Sequence, residues 1–394
     1  MIPRLGAVVG GFEEEGGFNG PGQPAHSWSW WEAEGRVARR PAGVWDRWDA
    51  VVAGLAAAGV TSVRIPVEWA RCEPLDGRLD ARAVAGYARL LDSCHEHGVA
   101  PVVVLHRFAH PAWMGVNFWL RPDAPERFCL WAQTAVEHFA GRTRRWVTID
   151  QLNATALLSY LSGHHPPGRR AAVAATVRAL DHLLAAHVLA YEAVKDRQPH
   201  GEVAMGTRHL PVYELDRLLV DVLVGRREAG DRHDLHAWLA GRRADFDASP
   251  WAAGGVAGRA VRRWAAGALP LEQALARTVT AVYDGAGDAY LDVLEVSATP
   301  GDVHRLLPLP PAVARLWRSG AGTSLGAACR AASSTGLPLA AVGDTPAGGP
   351  LLRRRRAEVG EAVAAGAPVG AYHQRLTGAA LAELAAGRRA AAFG

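Results

Sequence analysis

With 394 residues, 49% of them hydrophobic and 21% charged, the chain has ample apolar material for a globular core. A formal net charge of +4 is small for that length and implies neither nucleic acid nor a membrane surface as a partner. Cys72, Cys94, Cys129 and Cys329 are widely scattered, with neither metal-ligand nor redox spacing, and are expected as free thiols in a reducing cytoplasm.

Residues 5–12 read as a buried first strand and not as a signal peptide. Helix-like runs at 46–58, 82–97, 124–141 and 170–196 alternate with apolar strand-like runs at 60–66, 99–105, 144–150 and 201–207. Residues 211–270 lack clear strands and read as a loop and helix excursion over the mouth of the fold. Residues 291–297, 338–342 and 368–372 supply the last three strands. Alternation of apolar strands with helices implies a parallel sheet covered by helices. The length suits one α/β domain over 1–394, a (β/α)8 TIM barrel. No stretch is long enough to span a bilayer.

Several ordered motifs end these strands. Residues 6–16 read GAVVGGFEEEG, 27–32 read SWSWWE, 59–74 read GVTSVRIPVEWARCEP, 105–113 read LHRFAHPAW, 146–153 read WVTIDQLN and 160–168 read YLSGHHPPG. Together they resemble glycoside hydrolase family 1, the retaining β-glucosidase-like enzymes, as a divergent member. The 59–74 block is the most specific match. The resemblance implies a TIM barrel with its chemistry at the carboxyl ends of the strands. Arg64, His106, Arg107, Asp150, Gln151, Ser297, Asp344 and His373 are then expected to converge on one pocket.

The same resemblance argues against the family's usual reaction. Retaining cleavage uses two carboxyl groups about 5–5.5 Å apart, one as acid/base and one as nucleophile. In the W-x-T-x-N-E-P-N block, Gln151 stands at the acid/base glutamate, and an amide neither donates a proton to a leaving group nor activates water. In the T-E-N-G block, Gly343 stands at the nucleophile, with Asp344 beside it. Glu13 corresponds to a glutamine that holds the sugar, Arg107 to a histidine and Asp150 to an asparagine. Ser297-Ala298-Thr299 replaces the N-Y-Y motif, and the late segment 370–375 lacks its tryptophan.

Arg64 is retained. It binds a substrate carboxylate or enolate, or forms a salt bridge to Asp344, Glu13 or Glu295. Neutral sugar-holding groups are thus replaced by Glu13, Asp150 and Glu295 set against Arg64 and Arg107, a cluster able to poise a carboxylate as a base. Inert structural pairing is the alternative. The catalytic candidates are Asp150, Gln151, Glu13, Glu295 and Arg64. The substrate-binding candidates are His106, Arg107, Asn153, Asp344, His373 and Trp113. His164, His165, His233 and His236 read as loop or surface histidines, and Trp28, Trp30 and Trp31 as mouth and core aromatics. No dinucleotide, flavin or metal signature is present, so no cofactor is expected. The partner is a small molecule. The expected function is non-hydrolytic acid/base chemistry (elimination, cyclisation or rearrangement) on a metabolite of a biosynthetic pathway. Residual glycosidase or transglycosidase activity through a shifted carboxylate, and binding without turnover, stand as alternatives.

Overall fold

Eight apolar runs become eight parallel strands that close on themselves in sequence order. They are β1 (Arg4–Val8), β2 (Ser62–Pro66), β3 (Ala100–His106), β4 (Arg145–Ile149), β5 (Glu202–Arg208), β6 (Val293–Ser297), β7 (Leu339–Gly343) and β8 (Val369–Arg375). The structure, a computed structural model, describes residues 4–9, 11–37, 41–269, 274–298, 303–308, 324–344 and 349–387. β8 closes on β1 with Gly6 opposite His373 and Val8 opposite Arg375. This is the (β/α)8 barrel that the alternation implies.

The helices form where apolar residues recur at helical spacing. Ala81–Glu96 buries Ala83, Tyr87, Leu90, Leu91 and Cys94 on one face, and Asp80 caps it by accepting from the amides of Arg82 and Ala83. Val173–Arg197 is the one helix among the described residues long and apolar enough to cross a membrane, by length and composition only. Of its most apolar window, 67% is buried in the protein, so it reads as a core helix. Between β5 and β6 the chain forms the helices Arg217–Ala229, Arg232–Ala248 and Gly255–Ala268.

The first strand is shorter than 5–12. It ends at Val8, and Phe12–Glu15 is a short helix. Gly11 takes φ 83°, a left-handed value that turns the chain there and suits glycine. Gly10 and Thr299 lie outside the described residues. The turn at Gly11 sets Glu13, Glu14 and Glu15 in sequence just beyond the carboxyl end of β1.

Candidate functional site

The strand ends carry a ladder of alternating charge. Arg64 on β2 gives its Nη2 to Glu295 Oε2 at 2.6 Å and lies 3.1 Å from Asp150 Oδ1. Asp150 accepts through its other oxygen, Oδ2, from Arg107 Nη1 at 2.6 Å. Arg107 Nη2 reaches Asp344 Oδ1 at 3.0 Å, and Arg208 Nη2 reaches Asp344 Oδ2 at 2.7 Å. Glu13 lies 3.6 Å from Arg107 and accepts from Arg375 Nη2 at 2.7 Å, while Glu14 accepts from the same nitrogen at 2.8 Å. The ladder runs from the barrel interior, where the Arg64 side chain is fully buried, to a rim where 32% of the Glu13 side chain is exposed.

Burial and pairing set the protonation of these groups in opposite directions. Burial raises the Glu295 carboxyl to about 7, against the lowering pull of Arg64. It raises Glu14 to about 7 against Arg375. Burial would raise Asp344 too, but Arg107, Arg208 and Arg375 outweigh it and hold that carboxylate well below its usual range. Of the partners expected for Arg64, Glu295 is the one it takes, and Asp150 joins it. Its Nε and Nη1 are buried without a hydrogen-bond partner.

Gln151 sits at the turn from β4 into the next helix, in a left-handed conformation at φ 48°. That turn fits because β5 offers Gly206, where an added Cβ would lie 2.8 Å from the Gln151 amide nitrogen. The Gln151 side chain lies beside Asp344. Both of its amide atoms are nevertheless buried without a hydrogen bond of good geometry. At the other expected carboxylate position, β7 ends in Gly343. A Cβ there would collide with Gln374 Oε1, and Gln374 donates to the Gly343 carbonyl at 2.8 Å.

The ladder thus gathers Arg64, Arg107, Asp150, Glu13, Glu295 and Asp344, with Gln151 beside it. Four expected binding residues are held elsewhere. His106 packs edge-on against Trp119 and Phe128, at centroid distances of 5.1 and 6.2 Å. Burial, with His110 nearby, drops its pKa to about 3, and neither ring nitrogen is bonded. Asn153 is consumed as a brace. It donates to the carbonyls of Arg208 and Leu215 and accepts from the amides of Arg208 and Ala154. Trp113 donates to the Glu73 carbonyl and lines a surface groove with Trp69 and Leu130. His373 lies two residues before the end of β8, below the ladder, where it bonds Ser62 Oγ at 2.9 Å.

Arg208, Arg375 and Glu14 belong to the site and were not among the sequence candidates. Arg208 and Arg375 are the last residues of β5 and β8. Their signal was positional: each strand runs past the end of its apolar run. Beside the ladder, the His165 ring stands 4.8 Å from Trp28 and 5.0 Å from Phe108, and Trp28 donates to the Phe108 carbonyl. Among the described residues, no group of three His, Cys, Asp or Glu side chains could hold a metal ion.

The model of glycosyl hydrolase family 1 matches residues 5–226. A 6-phospho-beta-galactosidase of Streptococcus pneumoniae is 26% identical over 227 residues, which are 57% of this chain and 48% of that protein. Beta-glucosidase A of Thermotoga maritima is 25% identical over 163 residues, which are 41% of this chain and 36% of that protein. The chain thus spans about half or less of the length of these curated relatives. Among solved structures, a beta-glucosidase from Thermotoga maritima in complex with deoxynojirimycin superposes with TM-score 0.67 at 15% identity, covering 94% of this chain and 87% of that one. A psychrophilic beta-glucosidase from Micrococcus antarcticus gives 0.67 at 16%, covering 98% and 97%. At such identities the likeness is one of fold alone. The family model's match ends at residue 226, ahead of the strands that carry Glu295, Gly343 and Arg375.

Proposed function

The chain belongs to glycosyl hydrolase family 1, and we propose that it uses the family barrel for non-hydrolytic acid/base chemistry on a small metabolite. The observation that carries this reading is Gln151, a buried amide at the acid/base position whose side-chain atoms make no hydrogen bond of good geometry. Its counterpart position, Gly343, bears no side chain. A retaining hydrolase needs both carboxyls. Asp344 is a poor substitute nucleophile, because two arginines hold its two oxygens.

In this reading Glu13 is the base. It is the ladder carboxylate most open to solvent. Arg107 and Arg208 stabilise negative charge developing on the substrate, where water is largely excluded. Gln151 orients the substrate through its side-chain amide. The reactions that fit are elimination, cyclisation and rearrangement. A biosynthetic, cytoplasmic setting belongs to the same proposal; the four cysteines are unpaired, which supports a reducing compartment. Binding without turnover has one observation in its favour: Asp150 and Asp344 each bridge two arginines, an arrangement that rigid structural networks share.

The test compares metabolites of the parent strain with those of a deletion strain, then feeds any accumulated compound to the purified protein. Conversion with loss of water or at constant mass, abolished in Glu13→Gln, supports the proposal. Release of a sugar overturns it. Tight binding without conversion moves the function to a binding protein.

A further inference from the structure

The interior of a barrel of this kind is normally filled by layers of bulky branched side chains. At the amino-terminal end of this one the walls are formed by Val102, Ala204, Val293, Ala340 and Ala371. Three of those five are alanines, and a cavity of about 340 Å³ remains. Arg4, Arg145 and Glu202 stand at its rim, of which Arg4 and Glu202 are exposed, so it reaches solvent on the face opposite the charged ladder. Glu295 and His373 form its inner end.

His373 is 2% exposed, and its Nδ1 has no hydrogen-bond partner. Its ring is fixed in place. Gly6 on β1 lies flat beneath it, and a Cβ at Gly6 would collide with the ring. Nε2 is tied to Ser62 Oγ at 2.9 Å. If Nε2 donates to Ser62, Nδ1 is a bare acceptor. If Ser62 donates to Nε2, Nδ1 is an unmet donor. Either leaves a buried polar atom unsatisfied, which is unfavourable. A hydroxyl serves both cases, since it donates and accepts.

We propose that this cavity is a second binding site, for a small neutral molecule with an apolar body and a hydroxyl, such as a phenol or compact alcohol. The hydroxyl meets His373 Nδ1 and the Glu295 carboxyl, and the apolar body lies on the alanine and valine walls. Net charge on the ligand is disfavoured in both senses. Glu295 repels an anion at the inner end, and Arg145 and Arg64 both act electrostatically on the His373 ring and repel a cation. The volume lies at the lower end of small-molecule pockets.

Calorimetry on the full chain with phenol, toluene and benzoate tests the site. Phenol binds, and toluene and benzoate bind about tenfold or more weakly, the worth of one hydrogen bond. Ala204→Leu fills the cavity and abolishes phenol binding while far-UV circular dichroism stays unchanged. Ala340→Leu on β7 gives the same result should the first variant not fold. His373→Phe removes the preference for phenol over toluene. Absence of phenol binding at millimolar concentration overturns the site. So does phenol binding that persists in both leucine variants, which would place it elsewhere, including the charged mouth.

Discussion

The side-chain oxygen of Gln374 occupies the space that a Cβ on Gly343 would need. Gln374 is itself held there, accepting from the Tyr372 hydroxyl at 2.6 Å and donating to the Gly343 carbonyl. The position at which the resemblance expects the nucleophile is therefore filled by a braced neighbour as well as lacking a side chain. Installing a carboxylate there would require rebuilding that end of β7 and β8 together.

Gln151→Glu alone is accordingly expected to leave hydrolysis of aryl β-glucosides undetected. A general acid contributes about 10²–10⁴ in rate, but it has no covalent intermediate to act on here. Gly343→Glu is expected to cost about 1–3 kcal/mol through overpacking against Gln374. Nitrophenol release by the unaltered protein at rates usual for enzymes, about 1 s⁻¹ or more, would sink the non-hydrolytic proposal.

Stability should fall on the alkaline side of neutrality. Burial raises Glu14 and Glu295 to about 7, and burial with Glu15 nearby raises Glu68 to about 8, each from an ordinary 4.5. A carboxyl raised in the folded state contributes stability that is fully present below its unfolded value and lost as pH rises through its folded value. The opposite arm comes from buried histidines. Burial lowers His106 and His373 to about 3 and His187 to about 4, so their contribution is present above 6.5 and lost as pH falls. About one unit above 6.5 the unfolded histidines are almost wholly neutral, and from there only the carboxyl arm still changes. The thermal midpoint should therefore drop between about pH 7.5 and 8.5, and Glu68→Gln should flatten that decline. A midpoint that rises across the interval would contradict the assignment.

The strands were legible because each is an apolar run bounded by polar residues or turns, and the barrel followed from their alternation with helices. The charged ladder was legible in part. Arg64, Arg107, Asp150 and Asp344, which the strand-end motifs single out, come together, and Glu295, in the middle of β6, joins them. Arg208 and Arg375 were not read, because an arginine that closes an apolar run looks like the loop that follows. His106 and Arg107 show the finer limit. Successive residues on a strand face opposite ways, and the motif does not say that the histidine faces the aromatic layer while the arginine faces the ladder. Asn153 holds a motif position, but all its bonding capacity is spent on the backbone of β5 and the loop after it.

Arg64→Met should destabilise the fold by about 3–5 kcal/mol, because it strips the shared partner from Asp150 and Glu295, both buried. Denaturant unfolding measures the loss. Pairing with Glu295→Gln should recover part of it, since Asp150 keeps Arg107 and the carboxylate that loses its arginine is then neutral. A double variant no more stable than Arg64→Met alone would show that Arg64 acts mainly on Asp150.

Asn153→Ala should cost about 2–6 kcal/mol, the sum for two buried backbone groups left unpaired at about 1–3 kcal/mol each. It should also loosen Arg208, whose backbone amide and carbonyl both bond to that side chain. If Arg208 helps bind the metabolite, ligand affinity falls together with stability. Asn153→Asp keeps the acceptor to the Arg208 and Ala154 amides but loses both donors, so its cost should be intermediate or larger. A loss of affinity at unchanged stability would instead place Asn153 in direct contact with ligand.

His106→Phe offers the opposite sign. The ring lies between Trp119 and Phe128 with two buried nitrogens unbonded, and burial keeps it neutral. A phenyl ring has nearly the same shape and leaves no polar atom unsatisfied, and aromatic pairs of this geometry are themselves favourable. The substitution should be neutral or raise stability by about 1–2 kcal/mol at pH 7. It should also soften the loss of stability in acid, because one histidine that must be protonated on unfolding is gone. Turnover of the metabolite should be unchanged. A variant that is stable yet loses turnover would return His106 to the binding site, where the strand-end motif alone would put it.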